Sequence, residues 1–244
     1  ARQVFAVELD DGYCDFMVER FGAPCVAVQD LRDAAKPIQG HIVVIRGSAM
    51  SFDPGWVAEE RRGIVVYGNL PYCETTPILV HLLEHRRHID RMLLLVQKEV
   101  GERIVAHPGA KDKAYGKLSV MVQTYFEPAL LMDISPTVFL PRPEVRSAFL
   151  SLVTRENPFG HLGSPLPDDF PEFLHRVVFQ AFAKRRKMLR TLMPEGWPSV
   201  SAEDWNRVFA DMGIDSSRRG ESLSPQMFHR MALTLYGIVY GSER

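Results

Sequence analysis

The residues Asn69-Leu70-Pro71-Tyr72 combine two hydrogen-bond acceptors, a rigid bend and an aromatic face in one short stretch. An amine attached to a heteroaromatic ring, such as that of adenine, is a poor nucleophile because its lone pair is delocalised into the ring. A site that accepts both N–H groups out of the ring plane favours a pyramidal nitrogen and aims the lone pair at an alkyl donor. The Asn69 side-chain oxygen and the Leu70 carbonyl are acceptors of that kind. Pro71 stiffens the turn, and Tyr72 offers a face on which a flipped base can stack. Such stacking is worth about 1–3 kcal/mol per base. Taken without its surroundings, the same tetrapeptide is an ordinary strand-to-helix turn punctuated by proline.

The elements around it decide between those readings. Short apolar runs recur at Val4–Leu9, Ile42–Ile45, Ile64–Tyr67 and Met92–Val96. Each is continuous rather than alternating, which predicts strands of a parallel sheet covered on both faces. Helix-like stretches lie between them at 11–21, 75–87 and 98–106, the alternation of a doubly wound α/β sheet. Leu118–Phe126, Ala129–Ile134 and Ala148–Val153 read as further strands, the last two as an antiparallel pair at the sheet edge. The stretch Asn157–Pro167 is dense in Pro and Gly and reads as a linker.

Beyond the linker the period becomes helical, with Phe170, Phe173, Leu174, Val177, Val178 and Ala181 on one stripe. A second helix is expected from Ser201, whose spacing to Asp204 resembles a capping box, to Gly213. A third is expected from Ser224-Pro225 to near Gly237. The sequence therefore predicts a Rossmann-like domain over 1–155 and a small all-helical domain over 166–244.

In such a sheet, ligands bind outside the carboxyl ends of the strands. Three early strands end there in polar or turn residues: Glu8 with Asp10, Gly47-Ser48-Ala49, and Gly68 to Tyr72. A carboxylate such as Glu8 can accept from both hydroxyls of a ribose diol. The plainer reading is a solvated strand-end carboxylate for Glu8 and a turn serine for Ser48.

Net charge is −1, so any nucleic-acid contact must come from a local patch. Lys184-Arg185-Arg186-Lys187 with Arg190, opposite the apolar stripe of the first C-terminal helix, reads as a phosphate-contacting face rather than a merely solvated one. The Lys111–Lys117 loop reads similarly. His81-Leu-Leu-Glu84-His85 has the spacing of some zinc peptidases, but Arg86 and Arg87 beside it would oppose a dication, and no metal is expected. Three cysteines without a CxxC pair fit a reducing cytoplasm, and Cys73 is expected to be a packing residue. No apolar run reaches membrane-spanning length, so no membrane association is expected.

Taken in order, Val7-Glu8-Leu9-Asp10, Gly68 to Tyr72, Gln97-Lys98-Glu99-Val100, Ala114 to Val120, Phe139 to Ser147 and Arg185-Arg186-Lys187 resemble the small-subunit rRNA adenine dimethyltransferase family across nearly the whole sequence. The resemblance implies an S-adenosyl-L-methionine cofactor and dimethylation of two adjacent adenosines near the 3′ end of that RNA. It implies catalytic roles for Asn69, Leu70, Pro71, Tyr72 and Phe139, the last as the second wall of the base pocket. Cofactor contacts fall on Glu8, Leu9, Ser48, Ala49 and Asn69, and RNA contacts on Lys184, Arg185, Arg186, Lys187 and Arg190. A monomer acting on the pre-ribosomal small subunit is expected.

Two departures stand out. The family's glycine-rich first loop, and a basic segment with a Gln-Asn-Phe-Leu motif, would precede Ala1, because the sequence opens directly on a strand. The usual Gly-Asp-Ala of the third motif reads Gly47-Ser48-Ala49, and a hydroxyl accepts a hydrogen bond more weakly than a carboxylate. Two rivals use the same motifs: a large-subunit rRNA methyltransferase of the macrolide-resistance type, and a non-catalytic ribosome-assembly or transcription factor. The run 114–120 and the Pro-Arg-Pro-Glu-Val loop resemble the small-subunit group, and the intact Asn69–Tyr72 turn argues against the non-catalytic factor.

Overall fold

The computed structural model describes residues 3–31, 40–58, 63–110, 114–163, 165–184 and 186–241. The chain divides into two compact units, Ala1–Leu94 and Leu95–Arg244. The first carries β1 (Val4–Glu8), α1 (Asp11–Phe21), β2 (Cys25–Ala27), the single turn α2 (Val28–Leu31), β3 (Ile42–Arg46), β4 (Ile64–Asn69) and α3 (Thr75–Glu84). Strand β5 (Ile89–Gln97) crosses the division. The second unit continues with α4 (Lys98–Val105), α5 (Lys117–Tyr125), β6 (Phe126–Ile134), β7 (Ser147–Thr154), α6 (Phe170–Ala181), α7 (Leu189–Gly196), α8 (Ala202–Asp211) and α9 (Pro225–Tyr240).

In the first unit, β3 lies between β1 and β2 and pairs with both in parallel. Its continuous apolar run is explained by cover on both faces. Val44 packs with Cys14 and Ala23 beneath α1, while Val43 and Ile45 pack with Leu31 on the opposite side. Burial in the first of these clusters pushes the Cys14 thiol up from its ordinary pKa. At the strand end, Arg46 pairs with Asp11 at 2.7 Å and Asp15 at 2.5 Å, fastening α1 to β3. A second sheet has the order β4-β5-β7-β6. The antiparallel β6–β7 pair, expected from sequence, runs from Phe126↔Thr154 to Ile134↔Ser147 with a register shift between Leu130 and Met132.

Three expectations need correction. Leu118–Phe126 is not a strand: residues 117–125 form helix α5, with Leu118, Val120, Met121, Val122 and Tyr125 buried. A helix enclosed on nearly every side has no polar face, and so loses the period that separates it from a buried strand. β2, three residues long, and α7, which contains Pro194, were not expected at all. Finally, the basic cluster is not on a helix face. α6 ends at Ala181, so Lys184, Arg186 and Lys187 lie in the turn that follows, and Arg190 is the second residue of α7. Arg185 falls outside the described residues.

The C-terminal helices begin as their caps dictate. Ser201 accepts from the Asp204 amide at 3.1 Å, and Ser224 from the Met227 amide at 3.3 Å. The Pro- and Gly-rich stretch before them is pinned through Phe159, whose ring meets Tyr125, Phe170 and His229 edge-on. Tyr115 reaches from the turn before α5 to donate to the Leu223 carbonyl at 2.8 Å. Among the described residues no helix is long and apolar enough to cross a membrane.

Candidate active site

Glu8 closes β1 half-buried, with Oε1 accepting from its own neighbours Leu9 (2.7 Å) and Asp10 (2.9 Å). Two amides on one oxygen fix the carboxylate's direction and leave Oε2 without a donor among the described residues. The Gly47 amide donates to the Glu8 carbonyl at 2.8 Å, which brings the end of β3 beside the end of β1. Only glycine serves there: φ is +154°, and a Cβ would lie 2.4 Å from Val28 Cγ1. Ser48 and Ala49 are thereby set next to Glu8. The Ser48 hydroxyl accepts from Met50 N–H at 3.2 Å and caps the 3-10 turn Ala49–Ser51. In the structure its work is that of a turn serine. Leu9 is exposed.

Asn69 ends β4 at an exposed position, and Leu70 and Tyr72 are half-buried. The Pro71 carbonyl accepts twice, from the Glu74 amide at 3.0 Å and from the Thr75 hydroxyl at 3.0 Å. Thr75 is 1% exposed, so the bond that braces this turn is shielded from water. Meanwhile no donor among the described residues engages the Asn69 side chain or the Leu70 carbonyl. The turn is rigid on one side and carries two open acceptors on the other. Sequence reading missed Thr75, since a single hydroxyl after a proline turn has no periodic signature. Cys73, expected to be packed, is exposed on the same turn.

The zinc-like histidines have a structural task. His81 Nε2 donates to the Phe52 carbonyl at 2.8 Å, and His85 Nδ1 meets Asp53 at 2.9 Å. These bonds tie α3, which leads out of the Asn69–Tyr72 turn, to the segment that follows Ser48 and Ala49. Both motif-bearing loops of the first unit are therefore held by one helix.

Phe139 belongs to the second unit, half-buried just after the 3-10 turn Pro136–Val138 that Ser135 caps, and before the cis peptide Leu140–Pro141. At the start of α4, Lys98 binds Asp133 and approaches Glu102 at 3.6 Å. Its ammonium holds the Asp133 carboxyl below the usual carboxylate range.

In the basic turn, Lys184 pairs with Glu195 at 2.7 Å, whereas Arg186 and Lys187 are exposed and have no carboxylate partner among the described residues. The Leu189 and Arg190 amides donate to the Arg218 and Ser216 carbonyls, at 2.8 and 3.0 Å. A second basic loop, Arg218-Arg219, thus joins the first. Ser217 holds the Asp215 carboxyl between them low, with Arg190 and Arg218 adding to the effect. Sequence reading missed this pairing because Arg190 and Arg218 lie 28 positions apart.

The profile of the ribosomal RNA adenine dimethylase family matches residues 1–234. The chain belongs to that family. A Moorella thermoacetica protein named ribosomal RNA small subunit methyltransferase A is 44% identical over 171 residues, 70% of this chain and 56% of that protein. A Geobacillus protein of the same name is 36% identical over 215 residues, 86% of this chain and 71% of its own length. The chain thus spans between about half and 70% of these curated relatives. Among solved structures, a dimethyladenosine transferase from Plasmodium falciparum superposes with a TM-score of 0.67 at 17% identity, covering 99% of this chain and 91% of its own. The 23S rRNA methyltransferase ErmE gives 0.62 at 19% identity, with 97% and 83% covered. At such identities the likeness is one of fold, and it places the chain in the Rossmann-like α/β class expected from its strands.

Proposed function

We propose that the protein dimethylates the exocyclic amine of two adjacent adenosines near the 3′ end of small-subunit rRNA, in the cytoplasm, during ribosome biogenesis. The observation that carries this reading is the Asn69–Tyr72 turn, braced through Pro71 and Thr75 with the Asn69 amide and the Leu70 carbonyl left open. The names of the curated relatives support the small-subunit substrate over a large-subunit one.

The chemistry follows from what the chain's own groups can do. Asn69 Oδ1 and the Leu70 carbonyl each accept one N–H of the target amine and turn its lone pair out of the ring plane. Tyr72 supports one face of the base, and the family resemblance gives Phe139 the role of a base-contacting aromatic. S-adenosyl-L-methionine, when bound, supplies an electrophilic methyl group. The residues present suit its ribose: Glu8 is oriented by two amides with one oxygen open, next to Leu9, Ser48 and Ala49. The alkylated nitrogen is acidic enough to lose its proton to water, so no general base is required. Positioning and exclusion of water are the protein's contribution.

The test is methyl incorporation by the full-length protein into small-subunit particles, with the modified nucleotides mapped by mass spectrometry. Two adjacent dimethyladenosines near the 3′ end are expected. Modification confined to large-subunit rRNA, or none in either subunit, would overturn the assignment.

A further inference from the structure

Helix α6 buries Phe173, Leu174, Val177 and Val178, and its outer face presents an aromatic ring to solvent: Phe179 is 51% exposed. A single exposed apolar side chain is unremarkable in itself. Here a cation lies against it. The Lys117 ammonium sits 4.5 Å from the ring centroid, and the exposed Arg176 lies one turn earlier on α6, its guanidinium 5.8 Å from the Phe173 ring and 5.7 Å from that of Trp197. Lys117 is the first residue of α5, where the helix dipole disfavours a cation and where the first turn holds no acidic residue to offset it. One turn beyond Phe179 the chain enters the basic turn with Arg186 and Lys187, exposed and without carboxylate partners among the described residues.

We infer that Phe179 and Lys117 form a contact for a single-stranded stretch of the RNA substrate, an unstacked base packing on the Phe179 ring while Lys117, Arg176 and the basic turn take the flanking phosphates. This rests on the reading that RNA is the substrate. Charge complementarity decides the occupant. Cations interleaved with an aromatic ring match the alternation of phosphate and base along a single strand, whereas an apolar protein partner would leave Lys117, Arg176, Arg186 and Lys187 facing no opposite charge.

The experiment measures binding of the full-length protein to small-subunit particles and to a uridine dodecamer across a salt series. Wild type is compared with Phe179→Leu, which keeps an apolar side chain without the ring, and Lys117→Gln, which removes one charge. Loss of one base stack corresponds to about a five- to 150-fold weakening, so Phe179→Leu should bind the dodecamer and the particles more weakly by that range with an unchanged salt slope. Lys117→Gln should lower the slope by about 0.7. Ultraviolet crosslinking of the wild type to the dodecamer should attach uridine to the peptide containing Phe179. Melting temperatures of both variants should match wild type, because both side chains are at the surface. If Phe179→Leu binds as wild type does, the contact is overturned, and the surface is then apolar rather than base-stacking. If wild type binds particles and methylates them but never crosslinks through this peptide, the contact fails while the proposed function stands. If wild type binds no RNA, both fail together.

Discussion

The Asn69 side chain is exposed and meets no hydrogen-bond partner among the described residues, so on the proposed mechanism its removal should cost the fold little and the chemistry much. Asn69→Ala in the full-length protein should lower the methylation rate about a hundredfold, roughly 3 kcal/mol, the usual consequence of losing one preorganised hydrogen bond in an active site. Its melting temperature should stay within a degree or two of wild type. A mutant that methylates small-subunit particles at the normal rate would remove Asn69 from the mechanism. Thr75 should behave differently. Its hydroxyl is buried and acts through Pro71, so Thr75→Ser should retain activity. Thr75→Val should lower kcat while leaving KM for the particle unchanged. A lowered melting temperature, with the fall in kcat matched by a fall in the folded fraction, would point to general unfolding instead.

Elements are joined here by a few exacting contacts, and those contacts set the next predictions. Gly47 lets β3 turn against α2 where a Cβ would overlap Val28. Gly47→Ala should therefore cost on the order of 1–3 kcal/mol in chemical denaturation, from the strained φ and the displaced valine. An unchanged midpoint would show that the loop relaxes freely.

In the second unit, His229 on α9 is buried between α5 and the pinned stretch before α6. Thr124 gives its hydroxyl proton to the Val120 carbonyl, so the hydroxyl oxygen accepts from His229 Nε2 at 3.0 Å. Nδ1 is then the acceptor facing His161 Nε2 at 3.3 Å. Burial first, then His161 and Arg155, push the His229 pKa down to about 3 from an ordinary 6.5. The unfolded chain therefore takes up this proton before the folded one does. The stabilising effect of a neutral His229 is complete above pH 6.5 and is lost progressively as pH falls toward 3. His229→Gln, which cannot titrate, should show a shallower loss of melting temperature over that window. Parallel curves would mean that other groups govern the acid response.

For the molecule as a whole, net charge near zero means that nucleic-acid affinity depends on where the cations gather. The turn after α6 and the loop Arg218-Arg219 are held together by backbone bonds from α7, so their charges form one surface. If Arg186 and Lys187 contact phosphate as proposed, replacing both by Ala should lower the salt slope of particle binding by about 1.4 to 1.8. Cofactor binding should be unchanged, because Glu8 and Ser48 belong to the other compact unit. Equal slopes for wild type and variant would mean that these side chains do not reach phosphate.

The sequence by itself determined the local features that depend only on residue type and short spacing. The strands at 4–8, 42–46 and 64–69, the helix at 11–21, the capped starts at Ser201 and Ser224, and the acceptor turn at Asn69–Tyr72 all follow from apolar runs, caps and proline. Tertiary structure alone decided what depends on the surroundings. Residues 117–125 became a helix because neighbouring elements cover it on nearly every side, and burial of that kind erases periodicity. His81 and His85 act as braces because Phe52 and Asp53 stand opposite them, a pairing that local spacing does not announce. The basic run left its expected helix face because α6 stops at Ala181, three residues before the first lysine of the run. Arg190 and Arg218 share a surface only because backbone bonds close a loop between them, and closure of that kind has no signature in local spacing.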